Sequence, residues 1–102
     1  MEGINEDSVT AWFAENVAEA EAPLTFSLIS GGKSNLTYQV DAANGRSYVL
    51  RRPPLGHILE SAHNMARECR IITALHDTGV PVARTFGLCQ DKEVNDADFF
   101  VM

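Results

Sequence analysis

The sequence predicts an α+β fold: a five-stranded antiparallel sheet with one long helix packed on it and an additional N-terminal helix. Three observations carry this. Leu36-Thr37-Tyr38-Gln39-Val40 alternates apolar with polar, as a half-buried strand does, and Asn44-Gly45 follows as a short hairpin signal. The stretch from Glu60 to Asp77 instead repeats its apolar residues at helical spacing. Finally, neighbouring extended segments are joined by a glycine loop or a tight turn, connections that suit antiparallel strands and are too short for a parallel crossover.

Taken in order, Asp7 to Ala22 places Val9, Trp12, Phe13, Val17 and Ala20 on one helical stripe, with Asp7 or Ser8 as N-cap and Pro23 closing the helix. Glu15, Glu19 and Glu21 form its solvated face. Leu24–Ile29 and Leu36–Val40 read as two strands around the small polar stretch 31–35, and Ser47–Arg51 as a third, after an Asn44-Gly45 turn of type I′. Pro53-Pro54 removes two ladder donors and ends it. Leu55–Ile58 connects to the long helix, whose stripe of Ala62, Met65, Ala66, Cys69, Ile72 and Leu75 faces inward and which stops at Gly79, just before Pro81. Val82–Leu88 and Phe99–Met102 supply the last two strands, separated by a polar loop, Gln90–Asp98. Residues 1–22 are thus expected to form the N-terminal helix and 23–102 the sheet-bearing body, one domain overall. Because the sequence stops inside the apolar run Phe99-Phe100-Val101-Met102, it reads as a piece of a larger protein.

Composition narrows the function classes. The chain has 102 residues, 45% hydrophobic and 22% charged, near globular averages. A formal charge of -6, with lysines and arginines scattered, argues against a nucleic-acid partner. No apolar run approaches the roughly 20 residues of a membrane span, and Glu2 and Asn5-Glu6-Asp7 do not resemble a signal peptide, so the expected location is cytoplasmic without membrane attachment. Cys69 and Cys89 lack metal or disulfide spacing and read as packed thiols. His57 and His63 have no second ligand at a telling spacing, so no metal site is expected.

The chemistry centres on Gly31-Gly32-Lys33-Ser34-Asn35. Gly32-Lys33-Ser34 invites comparison with a Walker A loop, but Ser27 stands where its first glycine belongs, and a strand rather than a helix follows Ser34. A glycine loop between antiparallel strands instead suits a kinase-type cover for nucleotide phosphates, where the missing Cβ lets backbone N–H groups approach. That arrangement needs a cation on the third strand and a glutamate on the next helix. Arg51 ends Tyr48-Val49-Leu50-Arg51 in the place of the lysine in V-A-I-K, and Glu68 falls within the apolar helix stripe, where an unpaired carboxylate is costly and calls for a cation from the sheet. Lys33 either reaches a phosphate or is a solvated loop lysine.

With Tyr48 to Pro54, Ser61-Ala62-His63, Arg67-Glu68 and Val80-Pro81-Val82, the glycine stretch resembles the N-terminal lobe of the aminoglycoside phosphotransferase (choline kinase-like) family, of protein-kinase-like fold. Within it the chain is most similar to the branch related to the kinase-like part of acyl-CoA dehydrogenase family proteins. The resemblance implies an ATP-dependent small-molecule phosphotransferase using ATP with Mg²⁺. Gly31, Gly32, Lys33, Ser34 and Asn35 would then cover the phosphates, Arg51 would hold them, Glu68 would orient Arg51, and Met102 would sit beside the adenine. The family's catalytic aspartate and metal-binding residues belong to a C-terminal lobe, the expected partner in the same parent protein, and have no match in this chain. The fragment alone is therefore not expected to catalyse transfer, and its acceptor is unknown. Arg51 departs from the usual lysine and reads as a mark of the branch. The rival reading is a non-catalytic kinase-like scaffold or protein-interaction module.

Overall fold

The computed structural model describes residues 3–30, 36–53, 58–76, 78–79, 84–95 and 97–102, with the side chains of the long helix from Met65 onward. Five strands, β1 (Leu24–Ser30), β2 (Leu36–Ala42), β3 (Ser47–Arg52), β4 (Gly87–Cys89) and β5 (Phe99–Val101), make one sheet in the order β1-β2-β3-β5-β4. Every neighbouring pair is antiparallel. Three helices accompany it: α1 (Glu6–Asn16), α2 (Ile58–His76) and the short α3 (Lys92–Asn95). This is the expected α+β architecture.

Strand alternation gives the sheet two unlike faces. One carries Phe26, Leu36, Tyr38, Val40, Tyr48, Leu50, Phe99 and Val101, all buried, and α1 packs on it through Val9 and Phe13. Edge-to-face ring contacts run from Phe86 to Tyr48 (5.1 Å), Phe13 (6.0 Å), Trp12 (5.7 Å) and Phe99 (5.0 Å). The opposite face has a smaller apolar cluster in which Met65 and Cys69 of α2 meet Phe100, with Ile72, Leu88 and Met102 around them. Burial raises the thiol pKa of both Cys69 and Cys89, so each behaves as a small packed hydrophobe.

Local differences from the sequence reading have local causes. Helix α1 begins at Glu6, capped by Asn5, whose side chain accepts from the Ser8 N–H (3.4 Å). The same Asn5 donates its own N–H to Asn95 Oδ1 at 2.7 Å, so a tertiary contact sets the cap in place of Asp7 or Ser8. The helix ends at Asn16 rather than Ala22, and the following backbone folds back so that Val17 and Ala20 still reach the core. In the hairpin, Gly45 N–H donates to Ala42 O and Ala42 N–H to Arg46 O, with Gly45 at φ +87°. This is a three-residue connection with glycine in the left-handed position after the turn, rather than a two-residue type I′ turn. No atom lies within 4 Å of a Cβ added at Gly45, so Gly45→Ala tests backbone conformation alone. It should cost about 1 kcal/mol in urea unfolding, and a neutral result would contradict this geometry. Strand β4 starts at Gly87, while Val82 lies outside the described residues. The polar stretch after it contains α3, where Asp91 accepts from the Glu93 N–H (2.9 Å).

Candidate functional site

Strand alternation points Arg51 toward α2 and Arg52 toward α1. Arg51 lies opposite Thr37 on one side and Phe100 on the other. Its Nη1 donates to Glu68 Oε1, forming an ion pair that ties β3 to α2. The expected cation from the sheet thus reaches the carboxylate on the helix stripe. The two side chains keep 29% and 25% of their surface exposed, so the pair stands at the rim of the helix cluster and can still meet a ligand. Arg51 Nε is buried and has no hydrogen-bond partner among the described residues.

Beyond α2 the same face continues over β1–β3 as a polar surface of Thr25, Ser27, Thr37, Gln39 and Ser47, with half-buried Val49. Gln39 Nε2 (2.9 Å) and Ser47 Oγ (2.7 Å) both donate to Asp41 Oδ1 and hold its carboxyl pKa below the ordinary value. The β1–β2 register shifts between Leu28 and Ser30, directly before the glycine stretch, where Leu28 and Ile29 are exposed. Bulges of this kind re-aim a strand end beside a site.

Gly31, Gly32, Lys33, Ser34 and Asn35 lie outside the described residues, as do His57 and the His63 side chain. Met102 is half-buried, and both its backbone groups bond to Val49, N–H to O and O to N–H at 2.8 Å each. Among the described residues no group of three or more His, Cys, Asp or Glu side chains could hold a metal ion. Two open hollows beside α1, one including Glu6 and Asp7 and the other Glu15, Asp91 and Glu93, carry carboxylates and do not suit a polyanion.

Sequence reasoning assigned no role to three buried polar residues. Arg52, 2% exposed, donates Nε to Pro53 O (2.9 Å) and Nη1 to Gly3 O (2.9 Å). Asn95 Nδ2 also donates to Gly3 O (3.0 Å), and buried Asp98 pairs with Lys92 Nζ (3.4 Å). Gly3, which joins Arg52 and Asn95, is far from both in sequence, and nothing in local spacing marks the three.

A sheet ordered β1-β2-β3-β5-β4, with a cation on β3 paired to a glutamate on the next helix, defines the N-terminal lobe of a kinase-like fold. The chain belongs to the phosphotransferase enzyme family, which it matches over residues 25–102. It is 40% identical over 80 residues to acyl-CoA dehydrogenase family member 10 of Mus musculus, covering 78% of this chain and 7% of that protein. It is 39% identical over 85 residues to acyl-CoA dehydrogenase family member 11 of Homo sapiens, covering 83% and 11%. A third relative, probable acyl-CoA dehydrogenase IBR3 of Arabidopsis thaliana, is 36% identical over 105 residues, covering 96% and 13%. These relatives fall in the branch that the sequence resembles, and the chain spans only about a tenth of their length. No solved structure matches it. No helix among the described residues is long and apolar enough to cross a membrane.

Proposed function

We propose that this chain is the nucleotide-binding N-terminal lobe of an ATP-dependent small-molecule phosphotransferase. The Arg51–Glu68 pair carries the reading. It joins the third strand to the following helix, as the pair that holds the α- and β-phosphates does in a kinase-like lobe, and it lies on the same face as Val49 and Met102. Glu68 occupies one arm of the guanidinium, and the Arg51 side chain keeps 29% of its surface exposed, so the cation can still meet an anion. The donor set therefore fits a phosphate. The Mg²⁺ ligands would belong to a C-terminal lobe. ATP would supply the transferable phosphoryl group, while this chain's part is to bind and orient it. Because both Met102 backbone groups are committed to Val49, its contact with adenine would be made by the side chain. Backbone hydrogen bonds to the base would fall to residues after it.

Calorimetric titration of the full-length protein with ATP and Mg²⁺ tests the proposal. Saturable binding in the micromolar to millimolar range, on the order of enzyme substrate affinities, is the expected result. No heat and no displacement of a fluorescent nucleotide would favour the scaffold reading instead. The cytoplasm, where ATP is abundant, is the compartment this function suits.

A further inference from the structure

We propose that Arg52 is a positioning residue for Arg51, acting through an N-terminal strap of Gly3 to Asn5 on the opposite face of the sheet. The proposal rests on the nucleotide-binding reading for its functional consequence, and on geometry alone for the strap itself.

Arg51 and Arg52 stand at the end of β3, where the ladders run out. Among the described residues, pairing with β2 ends at Leu36 opposite Arg52, and pairing with β5 ends at Arg51 opposite Phe100. Pro53 follows and has no N–H to extend either ladder. Arg52 is thus held in the ladders by β2 alone, and strand ends are where fraying begins. The Arg52 guanidinium supplies what the ladders lack. Through Nε it clasps the Pro53 carbonyl, and through Nη1 it reaches 49 residues back to Gly3 O. That carbonyl is also held by Asn95 Nδ2, while Asn95 Oδ1 accepts the N–H of Asn5, the cap of α1. One carbonyl thus joins the end of β3, the start of α1 and α3, which leads into β5. A guanidinium sealed from water is an expensive anchor, and its stiffness is what a neighbouring phosphate contact needs. Gly3 is the fitted part of the strap. It lies at φ +83°, and an added Cβ would collide with the Tyr38 hydroxyl. The strap lies outside residues 25–102, the span matched to the family.

Two variants of the full-length protein test this, Arg52→Met and Gly3→Ala, each checked for folding by circular dichroism. Both should weaken ATP binding about 5- to 10-fold, the scale of a modestly misplaced binding group, and Arg52→Lys should lose less than Arg52→Met. The decisive readout is a double-mutant cycle. If Arg52 acts through Arg51, Arg52→Met should weaken ATP no further in an Arg51→Ala background, whereas multiplying losses would overturn the proposal. Amide hydrogen exchange without nucleotide gives an independent answer: residues 49–52 should exchange faster in Gly3→Ala, and unchanged exchange would also overturn it. Should the wild type bind no ATP, the phosphotransferase reading falls, and exchange then decides the strap by itself. If Arg52→Met does not fold, Gly3→Ala carries both measurements.

Discussion

Arg51→Ala in the full-length protein is expected to weaken ATP binding about 10- to 100-fold, the equivalent of roughly 1.5–3 kcal/mol for charge-assisted hydrogen bonds to phosphate. The variant removes the only member of the Arg51–Glu68 pair that attracts an anion and leaves Glu68 facing the same volume. Affinity therefore falls through lost attraction and through added repulsion. Arg51→Lys should fall between wild type and alanine, because lysine keeps a point charge but not the planar fork that serves Glu68 and a ligand together. Stability should change little, within about 1 kcal/mol, since both partners are partly exposed and such pairs contribute weakly to folding. Calorimetry combined with urea unfolding separates the two effects. Unchanged ATP affinity in a folded Arg51→Ala protein would remove Arg51 from the site.

Phe13→Ala should be the most destabilising single change, costing about 3–5 kcal/mol, as truncation of a buried aromatic does. Phe13 is 1% exposed, lies among Trp12, Tyr48 and the strand residues of the larger core, and brings α1 onto the sheet. A domain of ordinary stability has about 5–15 kcal/mol in total, so the variant would stand close to unfolding at room temperature. Phe13→Leu should cost less, because leucine fills part of the space. The midpoint of urea unfolding reports both. A loss below about 1 kcal/mol for Phe13→Ala would show that the sheet holds its face without α1.

These two expectations lie on opposite faces of one sheet, and the division explains how the lobe is organised. The face under α1 carries the larger apolar core, with buried Arg52 at the end of β3, and holds the structure together. The face under α2 is apolar only near Phe100 and becomes polar across β1 to β3, leaving Arg51 at the border between helix cluster and open surface. A cation at such a border is supported by its carboxylate yet still reachable.

Much of this was legible in the sequence for a physical reason. Period-2 alternation in Leu36–Val40 and period-3.6 spacing in the long helix are direct consequences of burying one face of a strand or helix. Strand identity and the inward place of Glu68 followed from them, and strand direction from the short connections between strands. The meeting of Arg51 and Glu68 was legible too, because a carboxylate on an apolar stripe demands a cation and the neighbouring strand offered one. What only the tertiary structure decided depended on partners distant in the chain. Asn5 rather than Asp7 or Ser8 caps α1 because Asn95 fixes its backbone, and α1 ends at Asn16 because Val17 and Ala20 find the core without helical geometry. The glycine of the hairpin took the left-handed position of a three-residue turn, a choice that the Asn-Gly pair alone leaves open. Arg52 looked like an ordinary strand-end arginine until the fold brought Gly3 O to its guanidinium. Local periodicity records which face is buried. It carries no record of which distant carbonyl will satisfy a buried donor, and that is settled only when the chain closes on itself.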